Sequence, residues 1–263
     1  MSRRAKYVHG TNREEQTRLA KLNDITNKPY IEFLGLKGNE SVLEVGSGLG
    51  ILTSSVAGLL KHGKIIGLEY SWEQLSRVPR PPRNLQFVRA DAQGLPFENN
   101  SFDIVYSRYV LEHLGDPLGA LKEMRRVVGR NGKVFAMENN IAMNLFYPKC
   151  PVYEKLWNDL GTLQEMLGGD AYIGKKLMVL FRDAGFRKIE LSIQPEVHYS
   201  HSPAFELWVE NTLSVLQGAK QGIVEHGVAS ALEFDLVAVE LREFKKRKDA
   251  STVFYWNRAV GTK

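Results

Sequence analysis

The chain has 263 residues, 43% of them hydrophobic and 25% charged, with a formal net charge of +5 at pH 7. That is the composition of a globular chain long enough to bury a sizeable core. Its single cysteine, Cys150, excludes an internal disulfide framework, and the absence of any run of about 18 apolar residues excludes a transmembrane helix.

The lone cysteine fits a reducing, cytoplasmic compartment. The basic start, Met1 to Lys6, has no apolar stretch behind it, so a secretory signal is not expected. The basic excess falls in two short clusters, Arg77–Arg83 and Arg242–Lys248. It reads as solvated surface, not as a stripe that tracks phosphates, and nucleic acid is not expected as a partner.

Residues 1–30 are polar, with Leu19, Leu22 and Ile25 at helical spacing, and read as a short helical arm. Strand and helix then alternate. Ser41–Val45 reads as a buried strand, Leu49–Leu60 as an apolar helix, and Lys64–Glu69 as a second strand. Ser71 caps a helix holding Trp72, Leu75 and Val78, which Pro79 stops. Leu85–Ala90 and Phe102–Tyr106 read as the third and fourth strands. Asp116 and Pro117 start a helix whose apolar face is Leu118, Leu121, Met124 and Val128. Asn131-Gly132 turns the chain into a fifth strand, Lys133–Glu138.

The second half is less regular. Ile173 to Ala184 makes a helix face closed by Gly185, and Phe186–Val197 looks extended. Phe205 to Leu216 and Phe234 to Phe244 fit two helices, and Thr252–Trp256 is a final strand. This order predicts an α/β, doubly wound, mostly parallel sheet with helices on both faces. Such a sheet binds ligands beyond the carboxyl ends of its strands, which places Gly46, Glu69, Asp91 and Ser107 around one crevice.

The loop Gly46-Ser47-Gly48-Leu49-Gly50 follows the first strand. Its glycines let the backbone turn sharply and approach a ligand. A dinucleotide fingerprint needs its third glycine at the sixth position, which is Ile51 here; the third glycine is Gly50, at the fifth. A ligand without a pyrophosphate suits this spacing better. Glu69, ending the second strand, can accept from ribose hydroxyls, and Tyr70 can pack on an adenine ring. Asp91 can accept from an adenine amino group, and Ala92 offers a backbone N–H to a ring nitrogen.

Together these residues resemble class I S-adenosylmethionine-dependent methyltransferases. The resemblance rests on Val42 to Gly50, Gly67 to Ser71, Asp91 to Phe97 running into Ser101 to Val105, Tyr109 to Leu114, and Val127 to Lys133. It covers residues 40–138 well and the rest in outline. The Leu-Pro-Phe and Leu-Glu-His stretches resemble the small-molecule branch that includes quinone-type enzymes. The resemblance implies a Rossmann-like, seven-stranded sheet with the last strand antiparallel and S-adenosylmethionine as cofactor. It implies that Gly46, Ser47 and Gly48 line the methionine moiety and that Glu44 orients its ammonium group. Glu69 would take the ribose, Asp91 and Ala92 the adenine, and Ser107 the amino-acid end. The arm around Tyr7 is similar to a lid, with Tyr7 closing over the cofactor. No metal is expected.

The sulfonium methyl is already electrophilic, so the protein must chiefly align the acceptor in line and exclude water. A base is needed only where the acceptor keeps its proton. His113, Glu138, His198 and His201 are candidates. Each also has a structural reading: His113 as a fixture of the loop after the fourth strand, His198 and His201 as surface groups of an irregular segment, and Glu138 as a recognition acid. Insertions at about 139–170 and 198–247 are expected to cap the acceptor. Their aromatic residues suit a hydrophobic or aromatic small molecule, or an amine held by cation–π contact. The alternatives weighed are a nucleic-acid or protein methyltransferase and a non-catalytic cofactor-binding regulator. Ser107-Arg108-Tyr109 stands where exocyclic-amine enzymes carry an Asp/Asn-Pro-Pro loop, which argues against the first.

Overall fold

The computed structural model describes residues 13–263, with side chains from Leu22 onward except residues 24 and 25. Helix α1 spans Arg13–Leu34 and runs without a break past residue 30, where the arm was expected to end. Tyr30 and Leu34, four residues apart, are both buried against the body, and this packing carries the helix on.

Five parallel strands follow: β1 (Ser41–Val45), β2 (Lys64–Glu69), β3 (Leu85–Arg89), β4 (Phe102–Arg108) and β5 (Val128–Glu138). Between them lie α2 (Ile51–Ala57), α3 (Trp72–Leu75) and α4 (Pro117–Val127). The predicted starts hold. Ser71 Oγ accepts from the Gln74 amide at 3.3 Å, and Asp116 accepts from the Gly119 amide at 2.8 Å with Pro117 in the first turn. Strand β4 runs two residues beyond the expected Tyr106, which matters for the site below.

The second half supplies β6 (Asn144–Tyr147), α5 (Pro151–Met166), α6 (Leu177–Asp183), β7 (Lys188–Tyr199), α7 (Phe205–Glu225), α8 (Ala231–Lys246) and β8 (Ser251–Thr262). Gly185, at φ 90°, follows α6 as expected. β8 lies antiparallel between β5 and β7, giving the order β3-β2-β1-β4-β5-β8 with β7 outside. Among the described residues the sheet has eight strands, not seven. The cause is the length of β8. Its 12 residues outrun β5, which pairs only with Asn257–Thr262, and the short β6 covers the remainder by pairing with Ser251–Phe254. His198 therefore belongs to a strand, and the second cap segment consists of α7 and α8.

Alternation along the strands divides the core. Val42, Ile65 and Tyr106 face α1, α2 and the cap helices α5, α7 and α8. Leu43, Leu68 and Val105 face Leu121 and Met124 of α4 and Phe181 of α6. The cap is thus continuous with one of the two main cores. Among the described residues no helix is long and apolar enough to cross a membrane.

Candidate active site

A cavity of about 410 Å³ opens at the carboxyl ends of β1 to β4 and extends under the cap. Its floor is the glycine loop. The amides of Gly46 and Ser47 donate to the Leu68 carbonyl at 2.7 and 2.9 Å, fastening the turn to β2. Gly46 has φ 78°, and a Cβ there would meet Val110 Cγ2 at 2.3 Å. Gly50, at φ 71°, faces Phe87 Cζ at 2.5 Å in the same sense. Neither position accepts a side chain.

Among the described residues four acids line the cavity, Glu44, Glu69, Asp91 and Glu112. Glu44 is buried, and its Oε2 accepts from Thr53 Oγ1 at 2.5 Å and from Tyr106 OH at 2.9 Å. Burial outweighs these bonds and the nearby Arg108 charge, and pushes its carboxyl up to about 7. Glu69 accepts from the Gly48 amide at 3.0 Å and the Ser71 amide at 2.8 Å, so it is held between the glycine loop and α3. Asp91 accepts from the Gln93 amide at 3.0 Å. Tyr70, 49% exposed, and Ala92 complete this end.

Other predicted residues fall elsewhere. Ser107 lies within β4, fully buried and off the cavity; its carbonyl accepts from Tyr30 OH at 2.9 Å. The two extra residues of β4 reverse the expectation, because Arg108 rather than Ser107 reaches the cavity wall. Glu138 is also buried and off the cavity. Its two oxygens accept from the amides of Val110, Leu111 and Glu112 at 3.3, 3.1 and 3.2 Å, so it moors the turn after β4. Burial, then the neighbouring Glu112 charge, raise its carboxyl to about 8. His113 does line the cavity, with Nε2 3.5 Å from Glu112 Oε1. His198 does not; it is buried, stacks on Trp208 at 4.8 Å and lies 3.4 Å from Glu196. His201 is exposed, and Tyr7 lies outside the described residues.

Residues 43–136 match the model of the family described as "Methyltransferase domain". A demethylmenaquinone methyltransferase of Oceanobacillus iheyensis is 30% identical over 184 residues, covering 62% of this chain and 76% of that protein. The chain belongs to the S-adenosylmethionine-dependent methyltransferases. The demethylmenaquinone methyltransferase of Staphylococcus saprophyticus is 27% identical over 180 residues, 62% of this chain and 77% of its own. In fold the chain resembles a Bacillus halodurans methyltransferase (TM-score 0.60, 16% identity, covering 90% and 98% of the two chains). It also resembles phosphoethanolamine N-methyltransferase 2 of Haemonchus contortus, solved with S-adenosyl-L-methionine (TM-score 0.55, 17% identity, 94% and 52%).

The site of this methyltransferase fits its cofactor, S-adenosylmethionine. Gly46 and Gly48 put bare backbone on the cavity wall, the carboxylates of Glu44, Glu69 and Asp91 suit an ammonium, a ribose diol and an amino group, and no phosphate has to be neutralised. Arg108 is the single Lys or Arg among the described lining residues. It is already engaged, donating to Thr26 Oγ1 at 3.3 Å, to Asn27 at 2.8 Å and to Asn23, and lying over the Tyr30 and Tyr109 rings. It thereby ties α1 to the end of β4.

The cap side of the cavity was not legible residue by residue. Asn144, Trp157, Leu160, Gln164, Trp208 and Trp256 line it, drawn from β6, α5, α7 and β8. Aromatic residues at helical spacing look alike whether they face a core or a pocket. Only the contact of Trp208 with Phe254 of β8 at the cavity wall separates it from its neighbours on α7.

Proposed function

We propose that this methyltransferase alkylates a flat, largely apolar small molecule held under the cap. The observation that carries the reading is that one cavity runs from the glycine loop to an aromatic wall formed by Trp157, Trp208 and Trp256. The names of the relatives, which act on demethylmenaquinone, support a ring-type acceptor.

In this reading Gly46, Ser47 and Gly48 accommodate the methionine end and Glu44 pairs with its ammonium. Glu69 holds the ribose, while Tyr70, Asp91 and Ala92 hold the adenine. The bound cofactor supplies an electrophilic methyl group, so the chain contributes alignment and exclusion of water. His113 takes the proton of an acceptor that keeps one, and the Glu112 carboxylate beside Nε2 favours the resulting imidazolium. Glu138 acts through these two residues by fixing their turn, and is a positioning residue. The buried Cys150, whose thiol burial pushes up to about 12, takes no part, and a reducing, cytoplasmic setting suits it.

The test is incubation with methyl-labelled cofactor and pools of small molecules, followed by mass location of the label. Label is expected on an aromatic or quinone-type compound. Production of no S-adenosylhomocysteine with any pool, despite cofactor binding, would favour the non-catalytic alternative. Transfer to RNA, DNA or protein would sink the small-molecule reading.

A further inference from the structure

Two indoles stand on one wall of the cavity with their polar edges unused. Trp208, from α7, is 2% exposed, and Trp256, from β8, is 8% exposed. Both line the cavity, yet Nε1 of each is buried with no hydrogen-bond partner among the described residues. A buried donor left unpaired is costly, and folds rarely keep one without a use. Two on the same wall call for a common explanation.

The wall is rigid. The Phe254 ring lies between the indoles, 5.9 Å from Trp208 and 4.5 Å from Trp256 between centroids. Tyr109 packs on Trp256 at 4.4 Å, and His198 stacks behind Trp208. These contacts hold both rings in place, Phe254 and Tyr109 from within the cavity wall and His198 from behind it. Beside Phe254, its partner in the β6–β8 register, Asn144 donates its amide to Tyr153, while its Oδ1 is buried without a partner. The wall is therefore apolar in area but still holds unspent hydrogen-bonding groups.

We propose that Trp208 and Trp256 are the acceptor-recognition pair, donating from Nε1 to oxygen atoms on a flat conjugated ring that lies against Phe254. The ligand class is an oxygenated aromatic of the quinone or phenol type. A flat ring matches the ring faces of the wall. Oxygen lone pairs match the two donors, whereas a cationic amine would meet the positive N–H edges and leave both unpaired. The proposal rests on the reading of this cavity as the acceptor site.

Equilibrium dialysis in the presence of S-adenosylhomocysteine tests it, with 1,4-naphthoquinone and naphthalene as the probes. The wild-type chain should bind the quinone at least tenfold more tightly than naphthalene. W208F and W256F keep a ring and lose the donor, so each should reduce that preference about fivefold, the worth of one hydrogen bond. The double variant should abolish it while naphthalene affinity stays within about twofold. Unchanged S-adenosylhomocysteine affinity confirms that the variants are folded. Equal binding of the two probes by the wild-type chain overturns the proposal, as does a preference that survives in the double variant. Labelled transfer to an amine acceptor also overturns it while leaving methyl transfer intact. A wild-type chain that does not bind S-adenosylhomocysteine overturns the cofactor reading itself, and the proposal with it.

Discussion

Glu44 is a buried carboxyl whose charge depends on what lies beside it. Raised from its usual 4.5 to about 7, it is stabilised in the neutral form in the free protein. Its contribution to folding is therefore fully present below pH 4.5 and is lost as pH rises through 7. A bound ammonium reverses the preference, because it favours the carboxylate. Cofactor affinity is expected to fall about tenfold per pH unit below 7 and to level off above it. Calorimetric titration from pH 5.5 to 8.5 checks this, and Glu44→Gln should bind weakly with a flat profile. A sloping profile in the variant would remove Glu44 from the ammonium site. Glu138 makes a different prediction. Glu138→Ala leaves three amides of the turn after β4 without their acceptor, at a cost of about 2–4 kcal/mol read from denaturant unfolding. A loss below 0.5 kcal/mol would mean that the turn holds itself. At this scale the placement of Gly46, Glu69 and Asp91 at one cavity was legible because each closes its strand or lies just past the strand's end. Ser107 was not, because alternation turns on where a strand ends. Two more residues of β4 turned Ser107 into the core and put Arg108 on the cavity wall.

Among the elements, α1 is held by the apolar packing of Leu22, Tyr30 and Leu34 and by polar contacts made at one point. Arg108 reaches Asn23, Thr26 and Asn27, and Tyr30 OH reaches the Ser107 carbonyl. Leu22 and Asn23 also line the cavity, so α1 forms part of its wall. Arg108→Ala should raise hydrogen exchange in α1 at least tenfold while leaving β1, β4 and β5 protected. Equal exchange in α1 would show that Tyr30 and Leu34 packing alone secures it. Helix starts were readable wherever a side chain caps its own turn, as at Ser71 and Asp116. The same pattern occurs at Ser230 with Glu233, where a capping box opens α8. Strand ends were less legible. β8 was expected over five residues and spans 12, because its second half mixes Asn257 and Arg258 with small residues and shows no run of β-branched or aromatic residues.

For the whole molecule, the cap and the cofactor end share a core, so ligand binding should stabilise the fold as a unit. S-adenosylhomocysteine at about 100 times its Kd should add about 2.7 kcal/mol, or a rise in Tm of about 5–10 °C. Differential scanning fluorimetry reads this, and Glu69→Ala should blunt the rise; an undiminished rise would take the ribose away from Glu69. The sequence by itself determined the cofactor half. Strand, loop and acid follow one another within short stretches, and parallel pairing brings consecutive strand ends to one edge. Local order there is already spatial order. The acceptor half was decided by tertiary structure. Tyr109, Asn144, Trp208 and Trp256 are far apart in the chain and meet only because β8 inserts between β5 and β7 and Trp208 of α7 packs on its Phe254. Hydrophobic periodicity reports that a side chain is buried. It does not report whether protein or ligand covers it, and the unpaired N–H groups at this wall become visible only once the chain is folded.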